Sequence, residues 1–188
     1  MEEQDLQERI LNAAIEEFER IGLKFTMDDI ARNLRISKKT LYTVYENKEA
    51  MLMALVDHCF RDIKESEAAV MEDEELDLVT RLERILVVLP DRYENIGLGK
   101  LYQLQEKYPK VYERVSMYLT TGWDSTIALI NQGIEEGLLR PVSIPVLKVM
   151  VESTIAHFFS DDVLVENNIY YEEALHEMVE IIMQGIKK

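Results

Sequence analysis

An all-α fold follows from three features of this 188-residue chain. Its seven glycines and four prolines, the first of them Pro90, leave the first half without the punctuation a strand-rich fold needs. Apolar residues recur at spacings of three and four, the period of a helix with one buried stripe. Thr26, Ser37 and Asn47 each stand where a short polar side chain can cap the free N–H groups of a following helix. Together these predict about nine helices.

Leu6, Ile10, Leu11, Ala14, Ile15, Phe18 and Ile21 form one stripe, which predicts a helix over residues 5–21 that stops at Gly22. Thr26, three residues before Asp29, starts a short helix to Leu34 whose buried face is Ile30, Ala31 and Leu34. Ser37 starts a third, through Tyr45, and Asn47 a fourth, with Met51, Leu52, Leu55, Phe60 and Ile63 at helical spacing. The adjacent acids Glu72 to Glu75 repel one another and bury nothing, so they read as a loop. Further helices are expected over 75–89, 91–107, 110–137, 143–162 and 171–186, with breaks at Pro90, Pro109, Gly137 with Pro141, and Asn167-Asn168. The expected division is an N-terminal domain of residues 1–48, including the first turns of helix four, and a helical body of residues 49–188.

The chain carries 36 acidic and 21 basic side chains, a formal charge of −15, which looks unfavourable for a nucleic-acid partner. Resolved by segment the picture changes. Residues 1–19 hold seven acids and one base, whereas residues 20–48 hold seven bases and three acids, a net of +4 inside an otherwise acidic protein. Neutralising phosphates needs local positive charge only. The single cysteine, Cys59, excludes an intrachain disulfide framework and reads as a small buried hydrophobe, in keeping with a reducing compartment. An acidic N-terminus and a longest apolar run of only Ile85 to Leu89 predict a cytoplasmic protein with no export signal or membrane span.

Thr26 to Lys48 is the informative stretch. Two short helices joined around Arg35-Ile36 leave room only for a tight helix-turn-helix, a geometry that can place its second helix in a DNA groove. With Leu41 as reference, Val44 and Tyr45 fall within about 60° of it and face the core. Lys39 and Thr43 then occupy the opposite face with Tyr42 at its flank. Ser37, Lys38 and Thr40 lie in the first turn, beside free backbone N–H groups that attract phosphate. The surface is rich in donors and free of carboxylates.

Ile10-Leu11-Asn12-Ala13-Ala14 through Phe18, then Thr26-Met27-Asp28-Asp29-Ile30-Ala31, then Ser37-Lys38-Lys39-Thr40-Leu41-Tyr42 with Tyr45 and Lys48, resembles the N-terminal domain of TetR-family repressors. The resemblance implies double-stranded DNA as partner, with Lys38 and Lys39 near base edges and Thr26, Tyr42, Thr43 and Lys48 on phosphates. Two departures stand out. Where the family often has glycine, in the turn and after the first residue of the reading helix, this chain has Arg35 and Lys39. Arg35 then has to hold a backbone conformation that glycine adopts more cheaply.

The rest resembles the family in architecture: a helical ligand-binding and dimerisation body in which two long helices of each subunit build a homodimer. Gly133 to Pro141 is similar to the break that precedes those helices. Ile144, Leu147, Val151, Ile155 and Phe159, with Leu175, Met178, Val179, Ile182 and Met183, form stripes that could serve either the dimer or the monomer core. By the same resemblance Tyr93, Tyr102, Met117, Trp123 and His157 lie on helices that surround an effector cavity, where aromatic and Met side chains suit a small molecule. The function implied is a ligand-responsive regulator, a repressor in the usual case, bound to a palindromic operator as a homodimer. Control by a protein partner, or a metal-binding helical protein, are the alternatives.

No catalytic constellation emerges. Glu173 and His176 have the Glu-x-x-His spacing of di-iron bundles but lack a second copy, and His157 with Asp161 supplies two ligands only. Surface or capping roles are expected for these residues. No metal and no cofactor are predicted, nor is there a Gly-rich phosphate loop or a nucleophile elbow.

Overall fold

Each cap signal read from the sequence starts a helix in the computed structural model, which describes residues 2–90, 93 and 103–188. The described elements are α1 (Glu2–Ile21), a 3₁₀ turn (Gly22–Lys24), α2 (Met27–Asn33), α3 (Lys38–Val44), α4 (Lys48–Glu72), α5 (Leu78–Val87), α6 (Gln103–Lys107), α7 (Pro109–Leu119), α8 (Asp124–Glu135), α9 (Ile144–Ser160), α10 (Val163–Glu166) and α11 (Tyr171–Ile186). Among the described residues the one β-type contact is an isolated bridge between Leu139 and Lys187.

The Thr26 hydroxyl accepts from Asp29 N–H at 3.2 Å, and the Asp29 carboxylate accepts from Thr26 N–H at 2.8 Å, a complete capping box. Ser37 Oγ accepts from Thr40 N–H at 3.0 Å, and Asn47 Oδ1 from Ala50 N–H at 2.8 Å. Between α2 and α3 the chain reverses through Arg35, at φ 55°. Arg35 N–H reaches Arg32 O at 3.2 Å and Ile36 N–H reaches Ala31 O at 3.0 Å, the paired bonds of a helix end closed by one left-handed residue. Arginine therefore occupies the position glycine fills most cheaply, as the family resemblance implied.

The fold departs from the expected helices in two places. The helix expected over 110–137 is two helices, α7 and α8, separated at residues 120–123. Gly122 sits at φ +77°, and its carbonyl accepts from Lys64 Nζ at 3.2 Å. A Cβ there would stand 2.6 Å from that same Nζ, the far end of a flexible side chain that can swing aside, so it is the backbone angle that calls for glycine at the elbow. No proline marks this break, and a lone glycine is tolerated within helical patterns, which is why periodicity runs through it. The second departure is α10, a single turn closed by Asn168 at φ 55°. Of the helix expected over 91–107, residues 91, 92 and 94–102 lie outside the described residues, and 103–107 form α6. The helix expected from residue 75 begins at Leu78, because Asp77 Oδ1 takes the cap from Thr80 N–H at 2.9 Å.

Two cores hold these helices together. The first joins Ile10, Ala14 and Phe18 of α1 to Phe25, Ile30, Leu41, Met51 and Leu52, then continues to Tyr93, Val111, Val115 and Phe159. It runs from the three N-terminal helices into the body without a break at residue 48. The second packs Leu82 and Ile85 of α5 against Leu129, Ile130, Val151, Leu175, Val179 and Met183. Helix α4, 25 residues and about 38 Å long, contributes Met51, Leu52 and Leu55 to the first core and packs Val70 and Met71 against the second. The stripes of α9 and α11 that could have served either purpose are spent on the monomer: Leu147, Val151, Phe159, Leu175, Met178, Val179, Ile182 and Met183 are buried, and Ile144 and Ile155 are partly so. A different apolar set faces out, with Val146, Val149 and Met150 on α9 and Ile181 on α11.

Candidate nucleic-acid interface and ligand cavity

Helix α3 is pinned by Leu41, which is fully buried, with Val44 and Tyr45 packed half-buried against the same core. Its other face is exposed and carries Lys38, Lys39, Tyr42 and Thr43. Tyr42 is 48% exposed although aromatic, and neither it nor Lys39 has a side-chain partner among the described residues. Thr43 Oγ1 donates to Thr40 O at 2.6 Å. The hydroxyls of Thr26 and Ser37 are engaged as caps, and Ser37 Oγ also lies 2.8 Å from Thr40 Oγ1.

Two carboxylates adjoin this surface and both are neutralised locally. Asp28 pairs with Lys38 across the turn. Asp29 accepts from the Thr26 hydroxyl at 2.7 Å and from Arg32 at 3.2 Å, and the Thr26 hydrogen bonds foremost hold its carboxyl below the usual range. Lys39 is thereby left as the unpaired cation of the α3 face, while Lys38 shares its charge with Asp28.

Lys48, expected on a phosphate, turns its ammonium inward from the first turn of α4, donating to Leu23 O at 2.7 Å and Phe25 O at 2.5 Å. It lies 4.0 Å from the centre of the Phe25 ring and 5.6 Å from that of Tyr108. Burial first, and then the positive charge of Lys107, bring its pKa down to about 8. At least two of its three N–H groups are thus engaged within the protein, tying the turn after α1 to the start of α4 and to the residue before α7.

The residues expected around an effector separate. Tyr93 is buried and lines a hollow of about 150 Å³ between α1, α4, α7 and α11, and Trp123 lines an adjoining one of about 130 Å³. Met117 and His157 line neither. Met117 sits about 200° around α7 from the buried Val115, and its side chain is 43% exposed. His157 is likewise about 200° from the buried Phe159 on α9, with a 59% exposed side chain. Tyr102 lies outside the described residues.

One cluster beside the cavity went unread in the sequence. His58 and Asp62, i and i+4 on α4, are 4% and 8% exposed. Tyr93 Oη donates to Asp62 Oδ2, His58 Nε2 lies 3.6 Å from that oxygen, and an Arg61 nitrogen lies 2.5 Å from His58 Nδ1. Burial, with Cys59 and Asp62 close by, pushes the Tyr93 phenol up. Cys59 itself is half-buried and lines the hollow. The available signal was a His and an Asp at helical spacing within an otherwise apolar stripe.

Glu173 Oε2 accepts from Tyr170 N–H at 3.2 Å, a capping contact, and the His176 ring nitrogen stands 3.9 Å from Glu172. His157 is 3.8 Å from Asp161 on the surface of α9. Among the described residues no three His, Cys, Asp or Glu side chains gather as a metal would need, and no helix is long and apolar enough to cross a membrane.

Comparison with known proteins places this geometry in context. Residues 10–55 match the model of bacterial regulatory proteins of the tetR family. An HTH-type transcriptional regulator of Bacillus subtilis, YvaF, is 24% identical over 181 residues, covering 96% of this chain and 95% of its own. The fold is shared with a Rhodococcus protein assigned to the TetR family, at TM-score 0.68 and 18% identity with both chains fully covered. It is shared too with a TetR transcription regulator of Haloarcula marismortui, at TM-score 0.63 and 20% identity, covering 98% of this chain and 100% of the other.

Proposed function

We propose that the chain, whose residues 10–55 match the model of the tetR family of bacterial regulatory proteins, is a DNA-binding regulator of transcription of that family, a cytoplasmic repressor released by a small effector. It binds a palindromic operator as a homodimer. One observation carries the reading: α3, anchored by Leu41, presents Lys38, Lys39, Tyr42 and Thr43 on an exposed face within the single net-positive segment of the chain. Lys39 reads base edges, since its ammonium is free to donate to guanine O6 and N7. Lys38, Thr40, Tyr42 and Thr43 contact phosphates or neighbouring bases. Thr26 and Ser37 set the register of their helices and present backbone N–H groups to the phosphates. Lys48 acts from behind, holding the reading head on the body.

The second subunit docks on the outward apolar face of α9 and α11, where Val149 is 58% and Ile181 65% exposed. Isolated apolar residues on a surface need no explanation, whereas a set spread over two helices that share a core suits a partner. Two-fold symmetry then places the two copies of α3 one or more DNA turns apart. An effector that fits the cavity in only one separation of the heads lowers operator affinity by its differential affinity for that state.

Selection of bound fragments from the native genome, followed by affinity measurements on the recovered site, tests this reading. Lys39→Ala is expected to relax preference at particular base positions. A recovered site without two-fold symmetry, or one whose preference is unmoved by Lys39→Ala, overturns it.

A further inference from the structure

We propose that Arg35 is a further DNA-contacting residue, whose guanidinium holds a backbone phosphate at the edge of the groove that α3 enters. The proposal rests on the reading of α3 as the DNA-reading helix and adds a contact which that reading does not use. Arg35 stands in the turn between α2 and α3 at φ 55°, a left-handed conformation that glycine adopts freely and a long L side chain adopts only at a cost. Asn168 is the other non-glycine residue with a positive φ among those described, and its short polar side chain tolerates the angle. Arg35 therefore stands apart, and residues held at such angles cluster at binding and switch sites.

Nothing within the subunit accounts for an arginine at this position. Its side chain is exposed and has no hydrogen bond or ion pair among the described residues. The bonds that close the turn, Arg35 N–H to Arg32 O and Ile36 N–H to Ala31 O, use backbone atoms alone and would form equally well with glycine. A cation beside the last turn of α2 favours the helix dipole, but Arg32 already holds that place.

The charges of the head point outward in the same way. Of the seven basic side chains in residues 20–48, Arg20, Arg32 and Lys38 pair with Glu17, Asp29 and Asp28, and Lys48 turns inward. Lys24, Arg35 and Lys39 keep their charges unpaired among the described residues. Lys24 precedes α2 and Lys39 lies on the reading face, which leaves Arg35 between the two helices. In a docked helix-turn-helix the first helix crosses the DNA backbone while the second lies in the major groove, so the turn joining them sits beside the phosphates that line the groove. A planar guanidinium donates two parallel hydrogen bonds to one phosphate, a geometry an ammonium does not match.

The test measures duplex affinity of the full native chain and of Arg35→Gly, Arg35→Lys and Lys39→Ala at several salt concentrations, on the operator recovered from the genome and on an unrelated duplex. Arg35→Gly is expected to melt about 2 °C higher, being relieved of the left-handed angle. It should nevertheless bind both duplexes about tenfold more weakly at low salt, with the slope of log affinity against log salt shallower by about one. The higher melting temperature separates this weakening from a loss of structure. Arg35→Lys should keep the slope, since the charge remains, and lose part of the affinity. An unchanged slope in Arg35→Gly, or a loss confined to particular bases of the operator, overturns the phosphate contact. Lys39→Ala keeps the two readings apart. A shifted base preference in Lys39→Ala beside unaltered binding in Arg35→Gly leaves α3 as the reading helix and removes Arg35 alone, whereas a native chain that binds neither duplex removes both.

Discussion

The Lys48 ammonium lies 4.0 Å above the centre of the Phe25 ring and donates to the carbonyl of the same residue. A cation between an aromatic face and two carbonyls is held firmly, yet it has lost much of its water. Its pKa of about 8 is below the 10.5 of an unfolded lysine, so between those values the unfolded chain binds more protons. Stability from this group therefore rises as pH climbs from 8 to 10.5 and is flat below. Comparing chemical denaturation of the native chain with Lys48→Met across that range isolates the term, since other groups titrate alike in both. Equal slopes in the two proteins would show that Lys48 keeps its proton and the water around it.

Asp28 shields Lys38. Asp28→Asn should release that lysine to the phosphates, raise affinity for any duplex and steepen the dependence of log affinity on log salt by about one. In that background Lys38→Ala should cost more than it does in the native protein. Titrations at several salt concentrations check this, and an unchanged slope means that Lys38 never reaches a phosphate.

Arg35 and Asn168 both close helices at φ 55°, but only one is a residue type that tolerates the angle. Arg35→Gly should raise stability by about 0.5–1 kcal/mol, because the arginine side chain is exposed and loses no packing. Asn168→Ala should lower it by a similar amount, about 0.5–1 kcal/mol. Thermal melts of the two variants, expected to move in opposite directions, decide the matter.

At Gly122 the cost of a side chain lies in the backbone. Gly122→Ala should destabilise by about 1–2 kcal/mol from the left-handed angle, because Lys64 Nζ, the far end of a flexible side chain, can swing aside. Adding Lys64→Ala should therefore change that cost little, and a double-mutant cycle is expected to be additive within about 0.5 kcal/mol. A larger coupling would show that the lysine is held too firmly to move.

For the outward face of α9 and α11, Ile181→Glu should convert a dimer to a monomer in sedimentation while leaving the helical signal intact, because the side chain is exposed in the single subunit. A variant of unchanged mass would move the interface elsewhere or abolish it.

Most of the reading head was legible because its signals are local. A cap, a tight turn and a buried position every three to four residues involve neighbours in sequence, so Thr26, Ser37, Asn47 and Leu41 announced their places. The awkward angle at Arg35 was expected from the resemblance to a family that often has glycine in that turn. The inward contacts of Lys48 were not legible for the opposite reason: its partners, Leu23, Phe25 and Tyr108, lie 23 to 60 positions away. The walls of the cavity were not legible either, since whether Met117 or His157 faces in depends on which side of its helix another element covers.

Sequence alone determined the all-α class, the caps, the helix-turn-helix and the sign of its charge, because backbone capping, helical period and formal charge are properties of adjacent residues. Tertiary structure decided which of two apolar faces on α9 and α11 is spent on the monomer, where α7 parts from α8, and that Tyr171 stacks on Phe159 at the cavity. Those choices depend on how several helices exclude water together, and no single helix carries that information.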